Sequence, residues 1–158
     1  MSIEIVREYF RKLGREDQIK EVSESTATVE LAAQAIGVEP ARIAKTLSFH
    51  DHEGCILVVT AGDMKIDNKK FKATFGIKAK MLSPDEVLAY TGHAVGGVCP
   101  FGIDHPDVKV YLDESMQRFD TVFPAAGSSN SMIELSCEML YEDAKAQAWV
   151  DVCKSAVN

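Results

Sequence analysis

The chain has 158 residues, of which 46% are hydrophobic, and its formal net charge is −7. This length is enough for one domain to bury a core without disulfides or metals. No apolar run approaches the ~20 residues of a membrane-spanning helix, and residues 1–15 are rich in charge rather than apolar like a signal segment. We therefore expect a cytoplasmic protein that forms one domain over residues 1–158, and the acidic balance argues against sequence-blind binding to a nucleic-acid backbone.

Cysteine spacing excludes the usual metal and redox motifs. The four cysteines are Cys55, Cys99, Cys137 and Cys153. They lie too far apart for a CxxC pair, and most have apolar neighbours. We expect reduced thiols that are mostly buried.

The first third of the chain predicts helices around one weak strand. The expected elements are a helix over 3–13 that ends near Gly14, a strand over 18–25, a helix over 29–36 and a short helix over 40–44. Thr26 or Thr28 can cap the second helix, which Gly37 would end. Pro40 suits the first turn of the short helix.

The rest of the chain alternates strands with helices. We expect strands over 45–50, 55–61, 77–81, 108–112, 121–125 and 131–136, and helices over 68–75, 84–90 and 138–152. The first two of these strands form a hairpin that should be central. Strands come both as hairpins and separated by helices, which predicts an α+β fold with a mixed, curved β-sheet surrounded by helices.

The loop over residues 92–102 holds four of the ten glycines. Gly96 and Gly97 leave their backbone N–H groups unshielded by a Cβ atom, and Pro100 fixes the chain beyond them. Such amides attract a phosphate, a carboxylate or the oxyanion of a reacting ester. The pattern matches neither a P-loop nor a dinucleotide fingerprint, and a purely structural turn is the alternative.

One segment departs from the acidic balance. Residues 63–80 hold six lysines and two aspartates, so this segment carries +4 while the remainder carries −11. One interpretation is a solvated helix face and the other is a small docking patch for phosphates that includes Lys69 and Lys70.

Isolated side chains give weaker signals. Lys45 opens a strand among apolar neighbours, where its ammonium group either reaches solvent or is held for a purpose. His50 and His52 have no third ligand nearby, so we expect no metal site. His93 and His105 flank the glycine loop and are candidate bases.

A second turn, over residues 127–130, follows a predicted strand. Its amides and hydroxyls would face the glycine loop if the two adjoining strands are neighbours.

The order and spacing of several short motifs carry a resemblance over about residues 18–140. These motifs are Ala44-Lys45-Thr46-Leu47, Ala61-Gly62-Asp63 with Lys69-Lys70, Thr91-Gly92, Gly96 through Gly102, Asp113, and Ala126-Gly127. Together they resemble the YbaK/prolyl-tRNA deacylase family, freestanding relatives of the editing insertion in bacterial prolyl-tRNA synthetase. The resemblance implies a mixed sheet with helices around it and hydrolysis of the ester between a wrong amino acid and the 3′ end of a tRNA. It implies no metal, no cofactor and no covalent nucleophile.

The resemblance also assigns roles within this chain. The family's essential lysine falls on Lys45, which would neutralise charge near the scissile ester or the terminal adenosine's phosphate. The amides from Gly96 to Cys99 would stabilise the oxyanion. The expected catalytic residues are Lys45, Gly97, Val98 and Cys99, and the expected substrate-binding residues are Thr46, Gly96, Pro100, Phe101, Gly102, Gly127 and Ser128. The attacking water would be held by the substrate's ribose hydroxyl and by backbone carbonyls.

Departures from the family pattern leave the substrate open. Many relatives have serine at Cys99, the alanine-clearing branch has asparagine at Thr46, and neither that branch nor the cysteine-clearing branch matches Gly127-Ser128-Ser129. The expected partner is the acceptor end of an aminoacyl-tRNA, with tRNA(Pro) as first candidate, and a synthetase partner stays open. Lys69 and Lys70 are the expected tRNA-binding residues. Alanine, cysteine, serine, threonine or a non-protein analogue remains as the amino acid.

Two other functions remain as alternatives to the editing hydrolase. The same fold can serve as a catalytically silent module that binds tRNA or a protein, which the departures at Cys99 and residues 127–130 would suit. Cys99 can also be the nucleophile of an unrelated hydrolase, because loop amides lower a thiol pKa.

Overall fold

The computed structural model describes residues 2–156, and all statements on structure concern this part of the chain. Its helices are α1 (Ser2–Lys12), α2 (Val29–Ile36), α3 (Asn68–Phe75), α4 (Pro84–Thr91) and α5 (Cys137–Asp143). Its strands are β1 (Ile19–Glu21), β2 (Ile43–Asp51), β3 (Gly54–Ala61), β4 (Met64–Ile66), β5 (Val108–Asp113), β6 (Thr121–Pro124), β7 (Ser131–Ile133), β8 (Leu135–Ser136), β9 (Ala148–Val150) and β10 (Cys153–Ser155).

A six-stranded mixed sheet in the order β8-β6-β2-β3-β5-β9 forms the centre of the molecule. The β2–β3 hairpin is antiparallel and central, as predicted, whereas β6, β5 and β9 each join the sheet in parallel. Two small antiparallel ribbons, β1–β7 and β4–β10, lie outside this sheet. The expected α+β fold with a mixed sheet is therefore confirmed.

Each face of the sheet has its own core. On one face, alternate residues of β3 such as Leu57 and Val59 pack with Phe10 of α1 and Leu140 of α5. On the other face, Phe49, Ile56 and Val58 pack against Phe71 of α3. This division follows from the two-residue period of a strand, which sends neighbouring side chains to opposite faces.

Local signals determine where most helices begin and end. Thr28 accepts a hydrogen bond from the N–H of Leu31 at the start of α2, and Ser83 with Glu86 forms a capping box at the start of α4. Gly37 and Gly92 end these helices with φ of 71° and 77°, the left-handed conformation that favours glycine.

Apart from the helix predicted over 138–152, four predicted elements clearly differ from the structure. Residues 40–42 form one 3-10 turn, since residues 43 and 44 already belong to β2. The strand expected over 18–25 contains only Ile19–Glu21. The strand expected over 77–81 is an extended segment joined to β2 by one bridge, between Met81 and Phe49, because Ile77 and Ala79 pack instead on the second core. The strand expected over 131–136 divides into β7 and β8, which pair with different partners.

The helix predicted over 138–152 is the largest error. The helix ends at Asp143, Lys145 takes a φ of 52°, and residues 148–150 pair with the open edge of β5. The alanines of this stretch favour a helix, but pairing with a sheet edge overrides intrinsic propensity. Strand β10 follows and pairs with β4, a strand that the pattern did not predict.

Candidate functional site

A cavity of about 400 Å³ lies beside β2. Its walls come from the start of α2, the start of α4, the glycine loop over 92–102, and the ends of β6 and β7. The part between α2 and β7 is apolar and includes Ala32, Ile43, Phe123 and Met132. This volume lies within the range of small-ligand sites.

The cavity exists because β2 loses its neighbour halfway along. Strand β6 pairs with β2 only at Ile43 and Ala44. Pairing on this side resumes where Leu82 donates its N–H to the carbonyl of Ser48. Since alternate residues of a strand point their N–H and C=O groups to the same side, those of Thr46 point to the same side as those of Ser48. No described strand pairs with Thr46 there, so its backbone groups face the cavity.

Lys45 lines this cavity with a half-buried side chain. Burial lowers the pKa of its ammonium group, while the negative charges of Glu30 and Asp63 act in the opposite direction. Within residues 2–156 its Nζ atom forms no ion pair. A partly desolvated cation without a partner is available to a negative group of a ligand.

The glycine loop contributes backbone donors to the opposite wall. Gly96, with a φ of 100°, and Val98 both line the cavity. The N–H of Gly97 donates to the carbonyl of Ala94 over 3.0 Å and so closes a turn. The N–H groups of Val95, Gly96 and Val98, which all line the cavity, have no acceptor among the described residues, so they can donate to a ligand.

The turn over residues 127–130 packs directly on this loop, so the predicted adjacency of the two turns is confirmed. A Cβ atom on Gly97 would lie 2.7 Å from the backbone nitrogen of Ser128. Helix α1 lies against both turns, because a Cβ on Gly102 would meet Ile5 and one on Gly127 would meet the backbone of Ser2. These glycines allow three backbone segments to approach one another closely.

Behind the loop lies a buried histidine. His93 is fully buried, and its Nε2 atom is 2.8 Å from the carbonyl oxygen of Phe101 and 3.5 Å from the Sγ atom of Cys99. Since a carbonyl only accepts, Nε2 carries the proton, and the buried Nδ1 atom has no described partner. His93 therefore clamps the two ends of the loop and does not reach the cavity, whereas the pattern had suggested a candidate base.

Cys99 is also remote from the cavity. Its side chain is fully buried, and burial raises the pKa of the thiol to about 12. The backbone hydrogen bond from Phe101, within the same loop, lowers this pKa but only partly offsets burial. This environment is typical of a packing residue rather than of a nucleophile.

The structure separates the candidate site residues into two groups. Those that line the cavity are Lys45, Thr46, Gly96 and Val98. Those that lie behind it or beside it are Gly97, Cys99, Pro100, Phe101, Gly102, Gly127 and Ser128. Phe101, for example, is fully buried with its ring 5.1 Å from that of Phe10.

The two candidate tRNA-binding lysines lie on α3. Both are exposed, but the Nζ atom of Lys70 is 3.0 Å from a carboxylate oxygen of Asp151 and 3.1 Å from the carbonyl oxygen of Cys153. Lys70 is thus held in an ion pair, whereas Lys69 keeps its side chain free of ion pairs with described residues.

Sequence reasoning missed several residues that line the cavity. Thr26 and Thr28 were considered only as helix caps, and Met81, Pro84 and Val87 only as parts of a strand and a helix. Met81 is 57% exposed at the cavity mouth, which no local pattern indicates. These residues share no sequence pattern, and only the fold brings them to the same cavity.

The described residues contain neither a metal-binding cluster nor a membrane-spanning helix. No group of three His, Cys, Asp or Glu side chains is arranged to hold a metal ion. No described helix is long and apolar enough to cross a membrane.

The fold and the cavity define an α+β domain with a ligand-sized site at the interrupted edge of its central hairpin. The family model for the aminoacyl-tRNA editing domain matches residues 23–142, and the chain belongs to this family. This membership confirms the YbaK-type resemblance and gives the protein a role in tRNA editing.

Individual relatives agree with this assignment. The chain is 56% identical to "Uncharacterized protein YwhH" of Bacillus subtilis over 155 residues, covering 98% of each chain. It is 32% identical to the "Putative Cys-tRNA(Pro)/Cys-tRNA(Cys) deacylase EbsC" of Enterococcus faecalis, covering 75% of this chain and 73% of the relative. A solved structure described as a "putative trans-editing enzyme for prolyl tRNA synthetase" superposes with a TM-score of 0.87 at 30% identity, covering 98% of both chains.

Proposed function

We propose that this protein is a trans-editing hydrolase that cleaves the ester of a mischarged aminoacyl-tRNA, with tRNA(Pro) carrying a small amino acid as the first candidate. It would act in the cytoplasm as one domain over residues 1–158, alone or with a synthetase. The observation that carries the proposal is that Lys45, Gly96 and Val98 line one cavity, and that the N–H groups of Gly96 and Val98 have no acceptor among the described residues. Family membership supplies the substrate class.

The reaction needs stabilisation of a developing negative charge. Water adds its oxygen to the ester carbonyl carbon, the carbonyl oxygen becomes an oxyanion, and the bond to the ribose oxygen then breaks. The ribose oxygen takes up a proton from the added water, and the free amino acid and the tRNA leave. The N–H groups of Gly96 and Val98 would donate to the oxyanion, an interaction stronger in the transition state than in the ground state.

Lys45 would supply the positive charge in this scheme. Its half-buried ammonium group forms no ion pair with a described residue, so it is free to interact with the ester or with the phosphate of the terminal nucleotide. Electrostatic attraction is stronger in a partly desolvated site than in water. The backbone groups of Thr46 would hold the ribose hydroxyl or the attacking water at the open edge of β2.

The remaining candidate residues would act through the loop. Gly97, Gly102 and Gly127 provide the space for the close packing that positions Gly96 and Val98. Cys99, Pro100, Phe101 and Ser128 would support the same loop from behind. Discrimination among alanine, cysteine, serine and threonine would take place in the apolar part of the cavity, where one methylene is worth about 1 to 3 kcal/mol.

A deacylation panel tests this proposal. Purified protein is mixed with tRNA(Pro) charged separately with alanine, cysteine, serine and threonine, and release of the amino acid is followed beside Lys45→Ala, Lys45→Met and the exposed control Lys12→Ala. We expect cleavage of one or two substrates that both Lys45 variants lose and Lys12→Ala keeps. Binding without cleavage, here and with other tRNAs at high protein concentration, would contradict the hydrolase and favour the silent binding module.

A further inference from the structure

Two lysines face each other across the small ribbon of β4 and β10. Lys65 and Lys154 are directly opposed in the antiparallel register, and both are exposed. Directly opposed residues of such a pair have Cβ atoms about 5 Å apart on one face, so like charges there destabilise the ribbon. An anion bound between the two lysines would compensate this repulsion.

The protein itself supplies little compensation. Neither ammonium group forms an ion pair with a carboxylate of residues 2–156. Asp67 is the neighbouring acid; its carboxylate accepts the N–H groups of Lys69 and Lys70 at the start of α3 and attracts Lys154 without forming an ion pair with it. These hydrogen bonds, followed by the charge of Lys154, lower the pKa of Asp67. Asp151, the other nearby acid, is paired with Lys70.

The pair lies on the same side of the sheet as the side chain of Lys45. Cys153, which precedes Lys154, interacts with Thr60, and Thr60 is the cross-strand partner of Lys45. The neutral Cys153 thiol therefore lies near the Lys45 side chain on this face. A ligand whose end occupies the cavity can therefore extend across the outer surface of the ribbon.

We propose that Lys65 and Lys154 form a phosphate-binding pair for the backbone of the tRNA acceptor arm, with Lys69 beside them. This inference rests on the proposed function, which places the aminoacylated end in the cavity. The chain outside residues 63–80 carries a net charge of −11, so electrostatic attraction directs the acceptor arm to this lysine-bearing face. An RNA phosphate bound between the two lysines removes their mutual repulsion. This gain makes binding of the RNA more favourable.

Single charge reversals separate binding from folding. Lys65→Glu or Lys154→Glu converts the like-charged pair into an opposite-charged one, which favours the ribbon. We expect both variants to bind a deacylated tRNA(Pro) transcript more weakly. The Tm should be unchanged or higher for Lys65→Glu, whereas Lys154→Glu also loses the attraction between Lys154 and Asp67. We also expect the slope of log K against log salt to fall by about one for each lysine removed from phosphate contact. Lys12→Glu, at the exposed end of α1, is the control with the same change in net charge.

The double variant completes the cycle. Lys65→Glu with Lys154→Glu restores a like-charged pair, so its Tm should return toward the wild-type value while tRNA binding weakens further. If both single variants bind the transcript with wild-type affinity and salt slope, or if Lys12→Glu weakens binding equally, the phosphate-binding pair is refuted. These results are independent of hydrolysis, since a silent deacylation panel with weakened binding would refute the enzyme and keep the pair.

Discussion

A Cβ atom on Gly97 would lie 2.7 Å from the backbone nitrogen of Ser128 and 2.8 Å from the carbonyl carbon of Gly127. The glycine loop and the second turn are thus separated by a distance that no other residue at position 97 permits. Because the next residue, Val98, and the preceding one, Gly96, both line the cavity, this contact controls where their amides point.

Gly97→Ala should therefore reduce activity more than the addition of one methyl group suggests. The backbone of the second turn cannot move freely, so the loop must shift, and a misplacement of about 1 Å can cost about 10²-fold in rate. Steady-state deacylation kinetics test this, with kcat expected to fall and Tm to fall modestly. Gly37→Ala is the control, because Gly37 has a positive φ but open space around it. Wild-type kcat in Gly97→Ala would show that the contact does not position the donors.

Cys99→Ser should retain the deacylase activity of the wild type. The thiol is fully buried, and a pKa of about 12 leaves it protonated at neutral pH. In the native protein Cys99 should also react slowly with a thiol reagent, and peptide mapping distinguishes it from Cys137, which is only partly buried. Loss of turnover in a well-folded Cys99→Ser variant would restore the nucleophile interpretation.

Lys45→Met should lower kcat by about 10² to 10³, the usual effect of removing one electrostatic donor to a developing charge. Methionine keeps most of the apolar stem, so the Tm should change little. Burial lowers the pKa of Lys45, so activity that depends on its charge should decline at a lower pH than an ordinary lysine would allow. The pH–rate profile, corrected for spontaneous ester hydrolysis, shows this decline, and an identical alkaline limb in Lys45→Met would exclude the role.

His93 should make the protein less stable in mild acid. Burial lowers the pKa of its imidazole below the ordinary value of about 6.5, with the hydrogen bond to Phe101 opposing this only in part. The unfolded chain then takes up a proton at a higher pH than the folded one. The contribution of neutral, buried His93 to the free energy of unfolding is complete above pH 6.5 and is lost as the pH falls through the lowered pKa.

His93→Gln provides the comparison, because its side-chain amide can donate to the carbonyl of Phe101 without titrating. We expect the difference in unfolding free energy between the two proteins to shrink as the pH falls from 7 to 5 in urea titrations. Parallel pH dependences would mean that another group causes the acid sensitivity.

Arg15→Met should be strongly destabilising. Arg15 binds the carboxylate of Asp143 with two hydrogen bonds of 2.9 and 2.8 Å, and Asp143 is only 6% exposed. Removal of one partner leaves a buried charge unpaired, which costs about 3 to 5 kcal/mol. Arg11→Met is the matched control, because its ion pair with Glu8 is exposed and solvent screens such pairs. Equal urea midpoints for the two variants would contradict this prediction.

The errors in the predicted elements have a common physical origin. The alanines of residues 144–148 favour a helix locally, and nothing in that stretch reveals that β5 offers an unpaired edge. Residues 77–81 alternate like a strand, yet their apolar side chains pack on the second core and leave one bridge to β2. In both cases a partner distant in sequence decided the outcome.

The candidate site was likewise predictable from the sequence only in part. The motif order around Lys45 and the glycine loop identified the family, and Lys45, Thr46, Gly96 and Val98 do line one cavity. The pattern could not show that Gly97 uses its own N–H within the loop or that His93 is buried behind it. Those facts depend on how α1 and the second turn pack against the loop.

By itself, the amino-acid sequence determined the features that short-range interactions control. These are the helix caps at Thr28 and Ser83, the left-handed glycines at positions 37 and 92, and the central hairpin with its alternating faces. Only the tertiary structure decided that β6 leaves β2 beside Thr46 and that Lys154 lies opposite Lys65. A cap forms between residues three or four apart, whereas an interrupted sheet edge and a cross-strand pair depend on segments that only the completed fold brings together.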